Sequence, residues 1–243
     1  MSFREEELVP RRRKTQAWMS DAAAQPALAA HISKKITSNQ KRIIDALGEE
    51  PFAVYSFLSS ECARGGVDKN PLFQFVYRSY YRLDSGGLSD DLKSRYFELM
   101  EEARKSGAID LTQLAKDLRR FKASRHYKRA GRAELREVEV LPFSFITKLA
   151  ATVSSDYPIY DRKVGDVLGF PPPDGIRDWD MRLDQCLKFY AWLQALYDRL
   201  LSGAVIPSAI FALNAHYSVA LPNMKALDFL FWQAGKLEIR AVP

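Results

Sequence analysis

A lysine and an aspartate, Lys148 and Asp161, stand in a segment whose residue types could support nucleophilic chemistry. A neutral amine is a nucleophile, and a carboxylate can stabilise positive charge that develops on a substrate. A free lysine has a pKa of about 10.4, so burial or nearby positive charge must lower that pKa before the amine can attack. Phe145, Ile146 and Leu149 lie beside Lys148 in the sequence, which predicts a desolvating environment for it.

Each of the two residues also has a purely structural interpretation. Asp161 precedes a short stretch that ends at Gly169, so it suits the N-cap of a helix. Lys148 taken alone is typical of a solvated lysine on a helix surface. The sequence leaves both interpretations open, because it is the order of the two residues and their turn context that favours chemistry.

The segment 141–169 contains a proline turn at Pro142, a short helix with Lys148, and the run Pro158-Ile159-Tyr160-Asp161 before a second short helix. In this arrangement it resembles the helix-hairpin-helix DNA glycosylases, most closely their bacterial branch that is 8-oxoguanine-glycosylase-like. The run 227–235 is also similar to the closing helix of that branch. The resemblance implies that Lys148 is the Schiff-base nucleophile, that Asp161 is the assisting acid, and that strand cleavage by β-elimination can follow.

Two features of the chain differ from that family. Phe143-Ser144-Phe145 stands where the family hairpin carries Gly-x-Gly, whose backbone N–H groups hold a DNA phosphate. Asp161 follows Lys148 by 13 residues, which is shorter than the usual interval. An alternative is therefore a helical DNA-binding or partner-binding protein that keeps the scaffold without catalysis, and a further one is an interaction module unrelated to DNA.

A basic run from Lys116 to Arg136 lies just before this segment. It holds nine Lys and Arg residues against Asp117 and Glu134, whereas the whole chain has a formal charge of +6. Such clusters neutralise phosphates, so we expect double-stranded DNA as the partner, although a solvated basic loop is the alternative. The predicted DNA-binding residues are Arg119, Arg120, Lys122, Arg125, Lys128, Arg129, Arg132 and Ser144.

A base-excising enzyme needs a pocket of aromatic and apolar groups for the extruded base. The candidates for that pocket are Tyr157, Tyr160 and Trp179, with Phe189 and Trp232 as further possibilities, although aromatic residues at helical spacing are usually core residues. The three histidines are isolated, and Cys62 and Cys186 lie far apart in sequence. We therefore predict no metal site and no cofactor.

The apolar spacing predicts an all-α fold, and the resemblance implies two helical lobes of the glycosylase type. Capping residues and helical periodicity mark five helices in particular, at 70–80, 89–107, 110–121, 179–201 and 222–235. The stretches 138–140 and 237–239 alternate in polarity, but each is too short to predict a sheet.

The sequence predicts a charged, partly ordered arm over 1–35 and a helical domain over 36–243. The first 13 residues lack the apolar centre of a signal peptide, and no apolar stretch is long enough to span a membrane. Together with the two unpaired cysteines, these features predict a cytoplasmic protein. We expect a monomer that does not associate with membranes.

Overall fold

The computed structural model describes residues 25–129, 132–170, 173 and 175–242. Over these residues it is mainly helical, which confirms the predicted all-α class, with one two-stranded antiparallel sheet. The helices are α1 (Gln25–Ser38), α2 (Gln40–Asp45), α3 (Glu50–Arg64), α4 (Pro71–Tyr81), α5 (Asp90–Ser106), α6 (Leu111–Arg119), α7 (Phe143–Val153), α8 (Arg162–Leu168), α9 (Trp179–Ser202), α10 (Val205–Tyr217) and α11 (Asn223–Lys236). Strands β1 (Lys122–Arg129) and β2 (Arg132–Glu139) form a hairpin, and a 3-10 turn covers Leu83–Gly86.

The chain divides into two compact units. Unit 1 comprises Met1–Leu47, Asp161–Pro172 and Lys188–Pro243, and unit 2 comprises Gly48–Tyr160 and Pro173–Leu187. Each unit has its own set of buried apolar side chains, for example Ile32, Leu213 and Phe231 in unit 1. The predicted arm over 1–35 lies outside the described residues as far as residue 24, and α1 spans the predicted boundary at residue 35.

The helix ends follow the capping chemistry that the sequence predicts. The side chain of Asn70, the residue before Pro71, accepts a hydrogen bond from the N–H of Phe73. The side chain of Ser89 accepts a hydrogen bond from the N–H of Leu92 at the start of α5. Gly107 ends α5 with φ 68°, a conformation that costs glycine little. The first four N–H groups of a helix have no partner within the helix, and these capping side chains accept hydrogen bonds from some of them.

The expectation that the chain lacks a sheet is wrong over 122–139. β1 and β2 pair antiparallel along their whole length, from Lys122 opposite Glu139 to Arg129 opposite Arg132. Ala123 adds a bridge to Leu88, so the base of the hairpin is fastened to unit 2. The sequence does not predict the hairpin, because its strands are rich in charged residues and lack the alternation of apolar and polar residues by which strands are recognised.

The sequence predicts that the last helix ends at Gly235, but α11 continues to Lys236. The glycine serves packing instead. A Cβ atom at position 235 would collide with the backbone carbonyl of Lys163 on α8. The absence of a side chain therefore lets α8 and α11 approach each other within unit 1.

Across the described residues, no single helix is both long and apolar enough to cross a membrane. The helices α9 and α10 pass that test jointly, but they are bent by 82° where one ends and the other begins.

Candidate active site

Lys148 is buried in unit 2. It lies on α7, an apolar helix whose buried residues include Ile146, Leu149 and Ala150, and it is 8% exposed. Its Nζ atom is 3.1 Å from the hydroxyl oxygen of Ser144, one turn earlier on the same helix. The predicted desolvating environment is confirmed, and the interpretation of Lys148 as a solvated surface lysine is wrong.

Aromatic rings surround the Lys148 amine. Its Nζ lies 5.7 Å from the ring centre of Tyr81 and 5.2 Å from that of Phe145. At such distances the negative face of a ring attracts a cation, and the same rings keep water away from the amine. The ring of Tyr81 packs in turn against Tyr77, with centroids 4.7 Å apart.

Two buried tyrosines fasten the first turn of α7. The hydroxyl of Tyr96 donates a 2.6 Å hydrogen bond to the carbonyl oxygen of Phe145, and the hydroxyls of Tyr96 and Tyr77 are 2.8 Å apart. Because Tyr96 uses its one hydrogen on the carbonyl, Tyr77 donates to Tyr96. Burial raises the pKa of both phenols well above 10, so both remain protonated donors at neutral pH.

The neighbour of Lys148, Thr147, joins α7 to the turn that precedes Asp161. The Thr147 hydroxyl accepts a 3.1 Å hydrogen bond from the N–H of Tyr160. It lies 3.0 Å from the carbonyl oxygens of Tyr160 and Ser144, to which its hydrogen can be donated. Thr147 is wholly buried, so these bonds satisfy a peptide that water does not reach.

Asp161 caps α8 in unit 1, as the structural interpretation of the sequence predicts. Its Oδ1 accepts hydrogen bonds from the N–H groups of Lys163 and Val164, at 2.9 and 3.0 Å. Gly169 ends the helix with φ 69°. The carboxylate has a second oxygen, so capping leaves acceptor capacity for a substrate.

Sequence reasoning missed a buried charged group in unit 1. Lys225 and Asp228 on α11 are 3% and 6% exposed in their side chains, and Lys225 Nζ lies 3.1 Å from Asp228 Oδ2. The wholly buried phenol of Tyr197 on α9 has a pKa well above 10, raised by burial and then by the negative charges of Asp228 and Asp161. The available signal was a Lys and an Asp three residues apart in an otherwise apolar helix.

The predicted DNA-binding residues fall into four groups. Arg119 is engaged within unit 2, because its guanidinium pairs with Glu139 at 2.6 Å and Asp180 at 3.3 Å and lies 4.4 Å from the ring centre of Trp179. Arg120 and Lys122 are exposed, and Ser144 accepts from Lys148 as described. For Arg125, Lys128, Arg129 and Arg132 the structure describes the backbone, and their side chains lie outside the described set.

The candidate pocket aromatics of unit 2 occupy different environments. Trp179 is buried, and its indole N–H donates a 3.2 Å hydrogen bond to the carbonyl oxygen of Val140. Tyr160 is 5% exposed, and its ring lies 6.0 Å from that of Phe143, whereas Tyr157 is half-buried. These contacts give Trp179 and Tyr160 a packing role, and their role in binding a base stays a prediction.

The two further pocket candidates, Phe189 and Trp232, belong to unit 1. The ring of Phe189 stacks on that of Phe170 with centroids 3.8 Å apart. Trp232 carries Lys236 Nζ 4.4 Å from its ring centre.

Within the part of the chain that the structure describes, no group of three or more His, Cys, Asp or Glu side chains is arranged to hold a metal ion. Comparison with known proteins adds no family: no protein-family model, no curated protein and no solved structure matches this chain.

Proposed function

We propose that the protein is a DNA glycosylase with lyase activity, in which Lys148 is the nucleophile and Asp161 the assisting carboxylate. The observation that carries this proposal is the Lys148 amine, which is 8% exposed among aromatic rings on an apolar helix. Folding disfavours the burial of an amine, so such a position calls for a functional reason. The first substrate to test is a duplex that contains 8-oxoguanine, which the family resemblance suggests.

The reaction balances with the groups at hand. The neutral Lys148 amine attacks C1′ of the damaged nucleotide, the N-glycosidic bond breaks, and its electron pair leaves with the base, which takes up a proton. The carboxylate of Asp161 stabilises the positive charge that develops on the sugar during this step. Ring opening gives a Schiff base, loss of a C2′ proton then expels the 3′ phosphate, and water finally releases the lysine.

The local structure supports both roles. Tyr96 and Ser144 fix the first turn of α7 and the amine that it carries, through hydrogen bonds of 2.6 and 3.1 Å. Thr147 binds the peptide of Tyr160, which immediately precedes Asp161. A nucleophile held by packing and hydrogen bonds loses little freedom when it reacts, and this lowers the barrier.

Trapping with borohydride tests the proposal. Wild type incubated with an 8-oxoguanine or abasic duplex and borohydride is expected to form a covalent adduct, because borohydride reduces the Schiff base. Lys148→Gln is expected to abolish the adduct and still bind the duplex, whereas Lys236→Gln, which alters an exposed lysine of α11, is the matched control and is expected to trap normally. Adduct formation by Lys148→Gln at the wild-type rate would overturn the assignment.

A second candidate is a DNA-binding protein without catalysis. The residues Phe143-Ser144-Phe145 favour it, because bulky side chains replace the glycines of the family hairpin. So does the use of Asp161 as a helix cap. This alternative predicts salt-dependent duplex binding with no adduct and no cleavage, whereas a module unrelated to DNA predicts no duplex binding at all.

A further inference from the structure

The phenol of Tyr197 is a polar group in the core of unit 1. Tyr197 lies on α9 and is wholly buried, and its hydroxyl oxygen is buried with it. Among the residues that the structure describes, none forms a hydrogen bond with this hydroxyl. A buried hydroxyl without a partner destabilises a fold, so such groups are normally satisfied by a bound water or have a functional role.

The packing of α11 places Asp228 beside this phenol. The ring centre of Phe231 lies 5.2 Å from that of Tyr197. Asp228 precedes Phe231 by three residues, so the two side chains lie on the same face of α11. Burial raises the pKa of Tyr197 most, and the negative charge of Asp228 raises that pKa further. The phenol and the carboxylate are therefore close neighbours, although no direct hydrogen bond joins them.

Asp161 reaches the same region from α8. Gly235 lies two turns after Asp228 on the same face of α11, and it packs closely against the backbone of Lys163. Lys163 belongs to the first turn of α8, two residues after Asp161. The negative charge of Asp161 also contributes to the raised pKa of Tyr197, after burial and Asp228. Two carboxylates and one phenol thus approach one another within unit 1.

Lys225 allows two carboxylates to share this region. Negative charges that are close together repel each other, and a buried environment strengthens the repulsion. Lys225 Nζ lies 3.1 Å from Asp228 Oδ2, and the two side chains are almost fully buried. The ammonium group offsets the charge of Asp228. Asp161 can therefore remain the charged carboxylate that the proposed reaction needs.

We propose that Tyr197 is a positioning residue for Asp161, which it holds through a water molecule that these two side chains bind together with Asp228; this inference rests on the proposed function. A buried water makes about three hydrogen bonds, and these three groups provide them. The phenol donates to the water oxygen, and the water donates one hydrogen to each carboxylate. Because the helix cap uses Oδ1 of Asp161, the water binds Oδ2, whose second lone pair can still face a substrate.

The water fixes the orientation of the Asp161 carboxylate. The N–H groups of α8 hold one oxygen of this group, and the water holds the other. A carboxylate fixed in this way stabilises a developing positive charge without having to reorient during the reaction. Loss of the phenol should therefore slow base release and leave DNA binding unchanged.

The first test is the rate of base release by two single variants. Tyr197→Phe removes the hydroxyl and keeps the ring that packs against Phe231. Tyr217→Phe is the matched control, because it removes a hydroxyl of unit 1 that donates a 2.6 Å hydrogen bond to the carbonyl oxygen of Ile44. Single-turnover base release and affinity are measured with an 8-oxoguanine duplex. Tyr197→Phe is expected to slow base release by about 10-fold or more at unchanged affinity, whereas Tyr217→Phe is expected to stay within about twofold of wild type in both.

Thermal unfolding tests the water link without any need for activity. Asp161→Ser keeps an N-cap, because serine caps helices about as well as aspartate, but it lacks the second oxygen. Tyr197→Phe is expected to lower the unfolding midpoint of the wild-type protein by about 2–4 °C. In the Asp161→Ser background the same change is expected to have about half that effect or less, because the link is already broken. Tyr217→Phe is expected to lower the midpoint equally in both backgrounds.

The outcomes separate this inference from the proposed function. A midpoint that rises in Tyr197→Phe, or that falls equally in both backgrounds, would overturn the inference, since the hydroxyl would then be unsatisfied or independent of Asp161. Normal base release by Tyr197→Phe would end the positioning role and leave the proposed function intact. If wild type releases no base while the midpoints shift as expected, the enzyme proposal fails and the link from Tyr197 to Asp161 stands.

Discussion

Asp161 and Lys148 differ in what the fold requires of each side chain. Asp161 is the N-cap of α8, as its position before a short helix predicts, and this role takes up one carboxylate oxygen. Lys148 sits in a helix from which water is largely excluded, although a lysine in that position costs stability. The two residues therefore need different experiments, because removing Asp161 disturbs a cap whereas removing Lys148 removes a buried amine.

Asp161→Asn separates capping from catalysis. Asparagine caps helices about as well as aspartate, so the variant is expected to unfold within about 0.5 kcal/mol of wild type. Glycosylase activity is expected to fall by about 100-fold or more, because the neutral amide cannot stabilise a positive sugar as a carboxylate does. Single-turnover base release and thermal unfolding together provide the measurement, and unchanged base release in a folded variant would leave Asp161 with capping alone.

At the scale of elements, α5 carries a buried carboxylate, Glu101, that is held by an ion pair and by backbone hydrogen bonds within unit 2. Glu101 is 3% exposed and receives hydrogen bonds from the N–H groups of Gly66 and Val67 and from Arg104, at 3.0, 3.4 and 2.7 Å. Arg104 is the main cause that lowers the pKa of Glu101 from 4.5 to about 2. The carboxylate thus ties the start of the loop after α3 to the end of α5.

This contact predicts acid sensitivity. The folded pKa lies below the unfolded value, so the stabilisation is complete above about pH 5 and is lost as the pH falls through 4.5 towards 2. Glu101→Gln is expected to lower the free energy of unfolding by about 3 kcal/mol at neutral pH and to flatten the acid limb of the stability profile. Glu102→Gln, which alters an exposed glutamate paired with Arg95, is the control and is expected to cost less than about 1 kcal/mol. An equally steep acid limb in Glu101→Gln would contradict the assignment.

The contact between α8 and α11 gives a second prediction at this scale. Gly235→Ala places a methyl group against the backbone of Lys163 and is expected to destabilise unit 1 by about 2 kcal/mol or more, because backbone cannot move aside cheaply. Gly203→Ala is the matched control, since the nearest atom to its Cβ is 3.5 Å away, and it is expected to change stability by less than about 0.5 kcal/mol. Similar unfolding temperatures for the two variants would show that α8 and α11 do not approach each other as closely as the structure places them.

Over the whole molecule, the sequence predicts what depends on local chemistry and misses what depends on distant contacts. The start of a helix can be predicted at Asn70, Ser89 and Asp161, because an N-cap depends only on its own side chain and the next three residues. The β hairpin depends on the pairing of charged strands and on the bridge from Ala123 to Leu88, neither of which has an apolar pattern. The role of Gly235 was missed for the same reason, because Lys163 is far away in sequence.

The candidate site divides in the same way. The burial of Lys148 could be predicted from the apolar residues that flank it on α7, whereas its contact with Tyr81 could not, since that residue lies on α4. The pair Lys225 and Asp228 was missed because a lysine near the start of a helix usually faces solvent. Unit 1 thus contains a buried lysine, Lys225, in addition to Lys148 in unit 2. Mapping of the trapped adduct can show which of the two is the nucleophile.

Mapping of the trapped adduct tests the central claim most directly. The complex of wild type with an 8-oxoguanine duplex is reduced with borohydride and digested, and the peptide that carries the sugar remnant is sequenced by mass spectrometry. The modification is predicted on Lys148, in a peptide that also contains Leu149 and extends towards Arg162. A remnant on Lys225 or on any other lysine, or the absence of any adduct from a duplex that the protein binds, would contradict the claim.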